Sequence, residues 1–286
     1  MGGQASAWRT WIGAREKATD VVSVASLERM SATLDRDDPP WREGDPVPPA
    51  WHSMYFPTVA RRSGLGPDGH PERGGFLPPV ALPRRMFAGA RTVYHQPLRA
   101  GETIRREGEV VDIQTKTGKS GELVFVLIRY RIFGADGLAL DEEHDIVYRD
   151  DAAPAKTPSK PDATIAEPDW RRTITSDPVT LFRYSALTFN GHRIHYDRTY
   201  ATGVEGYPGL IVHGPLIAIH LAELCRDNTD DRSLRRFAFR ARRPLFDTAA
   251  FEVVGALDGD GNGCRLEALD PEGAVAMTAE ATFTNG

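Results

Sequence analysis

Apolar residues recur near a 3.6-residue period from Asp20 through Val21, Val22, Val24, Leu27, Met30 and Leu34, which predicts a helix early in the chain. A proline-rich loop (Asp37 to Pro49), an aromatic stretch (Trp51 to Phe56) and a Gly/Pro/Arg-rich segment (Arg61 to Pro83) follow, the last without regular periodicity. From Gly89 the pattern changes to β-branched and aromatic runs. Thr92–Tyr94, Thr103–Asp112, Val124–Phe133 and Leu140–Tyr148 read as strands, and the turns Thr117–Gly121 and Gly134–Gly137 favour antiparallel hairpins.

Residues 151–169 are rich in Ala, Pro, Lys and Asp with no apolar period, as expected of a linker between a first half, 1–150, and a second, 170–286. The second half opens on another helix signal. Ser176 or Asp177 can cap it, Pro178 suits the first helical position, and Leu181, Phe182 and Tyr184 continue the turn. A loop, an apolar helix from Gly214 to Cys225, and strands Phe237–Ala241, Phe251–Leu257, Cys264–Leu269 and Ala274–Phe283 complete it. Tyr94-His95-Gln96-Pro97-Leu98 matches Ala241-Arg242-Arg243-Pro244-Leu245 in its Pro-Leu after a strand, which points to an internal repeat with unequal loops. One helix followed by antiparallel strands, twice over, predicts an α+β architecture in which each sheet wraps a central helix.

Composition narrows the function classes. The chain has 286 residues, 41% of them hydrophobic and 26% charged, which is ordinary for a globular protein. No apolar run reaches the roughly 18 residues of a membrane span. The first residues lack an apolar core after a basic start, so no secretion signal and a cytoplasmic address are expected. A net charge of -5 argues against a nucleic-acid partner, although Arg84 and Arg85, and Arg235, Arg236, Arg240, Arg242 and Arg243, form local basic clusters. Cys225 and Cys264 support neither a disulfide framework nor a zinc module, and no metal or organic cofactor is expected.

The stretch SALTFNGHRIHYDRTYA (Ser185 to Ala201), followed by YPGLIVHGPLIA (Tyr207 to Ala218), resembles the MaoC-like, R-specific enoyl-CoA hydratase family. It is most similar to the branch holding 3-hydroxyacyl-thioester dehydratase type 2 and the C4-mesaconyl-CoA and itaconyl-CoA hydratases. LPRRMFAGARTVYHQPL and DEEHDIVYRD resemble the degenerate first half of those proteins. The resemblance implies a tandem, double hot-dog fold, an acyl-CoA substrate, one active site per chain and a homodimer. It also implies a hydro-lyase that adds water to an enoyl thioester or removes it from the 3-hydroxyacyl form. The commoner family pattern has Asp five residues before the catalytic His, whereas here Asn190 stands five before His195. An amide is no base at neutral pH, so a scheme with a carboxylate there does not carry over.

On this reading His195 is the acid/base, because an imidazole titrates near pH 6.5. Asn190 orients water with its side-chain oxygen. The N–H of Gly214, at the start of an apolar helix, stabilises the enolate oxygen, a role whose loss costs roughly 2.7 to 4 kcal/mol. His192, Arg193 and His213 are candidate substrate contacts; the alternative for His192 and Arg193 is to brace the loop, and for His213 to satisfy buried backbone groups. Arg84, Arg85, Arg242 and Arg243 are candidates for the CoA phosphates, since guanidinium matches phosphate geometry. A hot-dog thioesterase and a non-catalytic acyl-CoA binding module are the competing readings. Thioesterase chemistry is disfavoured because no acid on the Gly214 helix is obviously placed to attack a thioester.

Overall fold

A computed structural model describes residues 8–118, 121–150, 162–229 and 232–284. The first half comprises β1 (Arg15–Val21), α1 (Val24–Thr33), β2 (Arg84–Tyr94), β3 (Thr103–Gly118), β4 (Gly121–Gly134) and β5 (Gly137–Arg149). The second comprises β6 (Trp170–Ile174), α2 (Pro178–Leu187), α3 (Arg198–Gly203), α4 (Gly214–Arg226), β7 (Leu234–Ala241), β8 (Phe251–Leu257), β9 (Gly263–Leu269) and β10 (Val275–Phe283). All strands join one antiparallel ten-stranded sheet in the order β1-β3-β4-β5-β2-β7-β10-β9-β8-β6. Each half therefore uses the same internal order, and β2 against β7 splices the two together. At that seam a side chain on Gly89 would come within 2.4 Å of the Phe239 carbonyl oxygen, so only glycine lets the two backbones meet.

Three sequence expectations change. The first helix starts at Val24, capped by Ser23, because Asp20 and Val21 belong to β1. That strand is an edge whose sequence, REKATDV, has no apolar alternation to betray it. Likewise β6 is short and Arg-rich, and β2 begins at Arg84 instead of Thr92 because its outer end carries Arg84 and Arg85. The third change matters most for function. Trp51–Met54 forms a single 3-10 turn, so the aromatic stretch of the first half holds no counterpart of the long α4. Between α1 and β2 the described chain holds only two such turns, Trp51–Met54 and Arg62–Gly64. The linker expected over 151–169 lies outside the described residues from 151 to 161.

Helix α4 is buried from Leu216 through Cys225, as a helix must be when sheet and neighbouring elements cover every side. One apolar cluster runs from Leu27, Met30 and Trp51 of the first half to Leu181, Leu216 and Phe237 of the second. Glu223 of α4 accepts from Trp51 Nε1 at 2.9 Å and pairs with Arg36 at 2.5 Å and Arg226 at 2.6 Å, which satisfies its buried charge. Cys225 and Cys264 are buried thiols with their sulfurs 3.4 Å apart. In the first half, where no long helix lies on the sheet, Val80 packs with Val124, Val126 and Tyr148, and Phe76 and Leu77 pack against that cluster. The remaining room opens as a cleft of about 2680 Å³ running from that sheet to the start of α4.

Candidate active site

The motif loop is held from several directions. Asp177 caps α2 by accepting from Thr180 N at 2.7 Å, and the helix ends with Phe189 in the left-handed region, at φ 54°. Asn190 N then donates to Ser185 O at 2.8 Å, and Asn190 Oδ1 accepts from His192 N at 3.0 Å. This side-chain turn fixes which end of the amide is oxygen. It uses the oxygen that was expected to hold water and leaves Nδ2 without a protein partner among the described residues.

His195 ends a 3-10 turn and is 8% exposed. Its Nδ1 lies 2.8 Å from the Ile211 carbonyl, which can only accept, so Nδ1 carries the hydrogen and Nε2 presents a lone pair. Nε2 has no protein partner among the described residues, and the ring lines the cleft. Burial lowers the His195 pKa to about 4, against the pull of the Ile211 bond, so the ring is a neutral base near pH 7. Its other face stacks on His213, with centroids 3.7 Å apart and planes at 16°. His213 in turn bonds Ser185 Oγ at 2.9 Å and is itself held neutral by burial.

His213 immediately precedes α4, so the Gly214 N–H stands at the first helical position. It has no partner among the described residues, and a carbon placed on Gly214 would meet nothing within 4 Å. The neutral base and this donor line the same cleft, together with Asn190, His192, His213, Arg84, Arg85, Arg242 and Arg243.

Arg193 departs from the expected substrate contact. Its guanidinium pairs with Asp197 at 2.8 Å, donates to Pro67 O at 3.0 Å and covers the Tyr200 ring at 4.1 Å, so it braces the loop and is not among the cleft-lining residues. Two of the expected phosphate ligands also have protein partners. Arg84 donates to Tyr207 Oη at 2.8 Å, and Arg243 holds Asp162 at 3.0 and 2.8 Å. Arg242 is exposed at the rim without an ion pair among the described residues.

Sequence reasoning missed the contribution of the first half. The turn Gly66-Pro67-Asp68-Gly69-His70 crosses onto the motif loop, where Asp68 O accepts from Arg193 N at 2.9 Å. His70 packs on His192 with ring centroids 4.0 Å apart, and His192 meets His195 edge-on at 5.5 Å. Gly69, at φ 87°, is required because a side chain there would fall 2.0 Å from Gly191 O. A Pro-Asp-Gly-His-Pro turn was the available signal, two titratable groups on a rigid bend. Asp68, His70 and His192 each place a ligating atom within 4.8 Å of the others. Also unforeseen is Glu142, buried beneath the first sheet and bonded by Thr92 at 2.8 Å, His52 at 3.1 Å and His144 at 2.8 Å.

The buried histidines set a pH signature for stability. Folding lowers His195 and His220 from 6.5 to about 4 and also lowers His70, His192 and His213. The unfolded chain therefore binds more protons than the folded one between those values, and stability is lost as pH falls through this window. Thermal melts are expected to be level from pH 8 to about 7 and to drop steadily between about 6.5 and 4. A melting temperature unchanged at pH 5 contradicts the buried, neutral state of these rings.

The whole chain superposes on known proteins. A MaoC-like dehydratase structure aligns with a TM-score of 0.72 and 14% identity over 97% of this chain and 100% of its own. A Mycobacterium tuberculosis protein described as having a double hotdog fold aligns at 0.58 and 14% identity, over 96% of each chain. The fold is accordingly a double hot-dog, an α+β class in which two repeats share one sheet. The sequence signature of hydroxyacyl-thioester dehydratase type 2 matches residues 50–247. A mesaconyl-C(4)-CoA hydratase of Chloroflexus aurantiacus is 47% identical over 272 residues, covering 95% of this chain and 96% of that protein. The chain belongs to the hydroxyacyl-thioester dehydratase type 2 family, and it is a hydro-lyase of the hydratase/dehydratase kind.

Proposed function

We propose that the chain hydrates the double bond of an enoyl-CoA whose acyl group is a short dicarboxylate, with C4-linked mesaconyl-CoA as the leading substrate, or dehydrates the corresponding 3-hydroxyacyl-CoA. The observation that carries the chemistry is the His195 ring, fixed by Ile211 so that a neutral Nε2 enters the cleft that Gly214 also lines. The substrate class is supported by the 47% identity to a mesaconyl-C(4)-CoA hydratase along nearly the full length of both chains.

In the hydration direction His195 Nε2 takes a proton from water while the water oxygen bonds to the β-carbon of the enoyl group. The electron pair of the double bond moves onto the thioester oxygen, which the Gly214 N–H and the positive end of α4 stabilise. Collapse of that enolate takes a proton from the imidazolium onto the α-carbon, so one base serves both transfers and the addition is syn. Asn190 contributes its Nδ2 hydrogens to positioning the water or product hydroxyl. A carboxylate in its place would give a second base, and the amide leaves His195 alone in that role.

Thioester hydrolysis through an acid on α4 has no support. The acid in that helix, Glu223, is occupied by Trp51, Arg36 and Arg226. Arg242 at the rim is suited to a CoA phosphate. The homodimer and cytoplasmic address implied by the resemblance belong to the same proposal.

The test compares mesaconyl-C4-CoA, itaconyl-CoA and crotonyl-CoA by loss of enoyl-thioester absorbance, with free thiol measured in parallel. A kcat/KM for a carboxylated substrate at least about tenfold above crotonyl-CoA is expected, a difference on the scale that one well-made polar contact provides. Thiol release without hydration supports a thioesterase, and binding without turnover supports a non-catalytic module.

A further inference from the structure

A C4-linked mesaconyl thioester carries its free carboxylate on the β-carbon, the atom that receives the hydroxyl. That anion must therefore be held close to the catalytic base, and inside a half-buried cleft it needs a cation to replace its water. The CoA phosphates, by contrast, lie the full length of the pantetheine arm away.

Among the arginines lining the cleft, most are already engaged. Arg73 donates to the carbonyls of Val80, Leu82 and Pro83, and Arg106 pairs with Glu16. Arg84 and Arg243 are held as described above, and Arg149, which also lines the cleft, stands opposite Arg84 and so on the other face of the strand pair from Arg85. Arg242 and Arg62 are exposed at the surface.

Arg85 differs from all of these. It is half-buried, lines the cleft and has no acidic partner among the described residues. Antiparallel pairing sets it opposite Tyr148 on β5, and Phe87 opposite Ile146. Cross-strand partners share a sheet face, so Arg85 and Phe87 stand on the same face as the Tyr148, Ile146 and His144 side chains. Phe87 and His144 are indeed in edge contact at 4.9 Å. Neighbouring Arg84, pointing the other way along the strand, meets Tyr207. Arg85 lines the same cleft as His70, His192 and His195.

We propose that Arg85 binds the β-carboxylate of the acyl group and is the residue that selects dicarboxylic over uncharged enoyl thioesters. The assignment rests on the dicarboxylic reading given under the proposed function. It places the specificity determinant in the first half of the chain and the chemistry in the second. Arg85 does not take part in proton transfer, so its loss should act through substrate charge alone.

The experiment measures kcat and KM for mesaconyl-C4-CoA and crotonyl-CoA with wild type, Arg85→Gln and Arg85→Lys, alongside melting curves. Arg85→Gln should lower kcat/KM for the carboxylated substrate on the order of 100-fold, as when one partner of a buried charge pair is lost, while changing crotonyl-CoA hydration less than about threefold. Arg85→Lys keeps the charge without the fork and should recover part of the loss. Equal losses on both substrates, or none on mesaconyl-C4-CoA in a wild type that prefers it, overturn the role of Arg85 alone. A wild type that prefers crotonyl-CoA overturns the dicarboxylic reading and the carboxylate contact together. Should Arg85→Gln fail to fold, Arg85→Lys decides the matter: a loss larger on mesaconyl-C4-CoA than on crotonyl-CoA supports the contact, and selectivity equal to that of wild type overturns it.

Discussion

His195→Ala is expected to lower kcat/KM for hydration by about 10³-fold, within the range of 10² to 10⁴ that a positioned acid/base contributes. The loss should fall on kcat, because the imidazole acts on water and not on the CoA moiety. The variant should still bind CoA thioesters, since the rest of the cleft lining is unchanged. Its stability should fall modestly, because the Ile211 carbonyl loses its donor and His213 loses the ring stacked on it. Progress curves on the preferred enoyl-CoA give the answer directly. A rate within tenfold of wild type would remove the proposed base, whatever the outcome at other positions.

The second large effect concerns a backbone atom, which side-chain truncation cannot reach. Replacing Gly214 by proline deletes the N–H that would meet the enolate oxygen, yet the local geometry accepts the change. Proline is favoured at the first position of a helix, and the preceding His213 already has the extended backbone, φ -60° and ψ 130°, that a following proline demands. A Cβ at Gly214 meets nothing within 4 Å beyond its own turn of chain. Because Pro215 follows and disfavours helical backbone at the residue before it, Gly214→Pro should fold with a lowered melting temperature and lose about 10²- to 10³-fold in kcat. Gly214→Ala keeps the N–H and is the matched control for bulk near the substrate. Equal losses in the two variants would assign the effect to crowding and not to the missing donor.

The parts of the molecule that were legible in the sequence are those where local chemistry and burial agree. Helix α4 is apolar at nearly every position because it is covered on all sides, and Asp177-Pro178 announces α2 through its cap. The motif loop was readable as chemistry for a similar reason. Asn190, His195 and Gly214 sit close together in sequence on elements that lead directly from one to the next. Strands β1 and β6 escaped because edge strands need bury little, so REKATDV and WRRTI carry no alternating apolar signal. That the first half has no counterpart of α4 escaped because the repeat argument carried one plan over both halves. Asp68 and His70 reach the site only through a tertiary crossing of the turn that bears them, for which sequence separation gives no cue. Arg193 was open in the sequence to either a substrate contact or a loop brace, and Asp197 and the Pro67 carbonyl hold it as a brace.

The splice of β2 onto β7 makes two copies of one plan a single unit, and the proposed duties are divided between them. The copy with the long helix carries the proposed reactive groups, while the copy without it offers the room proposed for the acyl group. New substrates can accordingly be accommodated by changes to the walls of the first copy, with the proton-transfer apparatus of the second left as it is. Such a partition lets a lineage explore acyl chains of different shape and charge while every intermediate along the way remains a working enzyme.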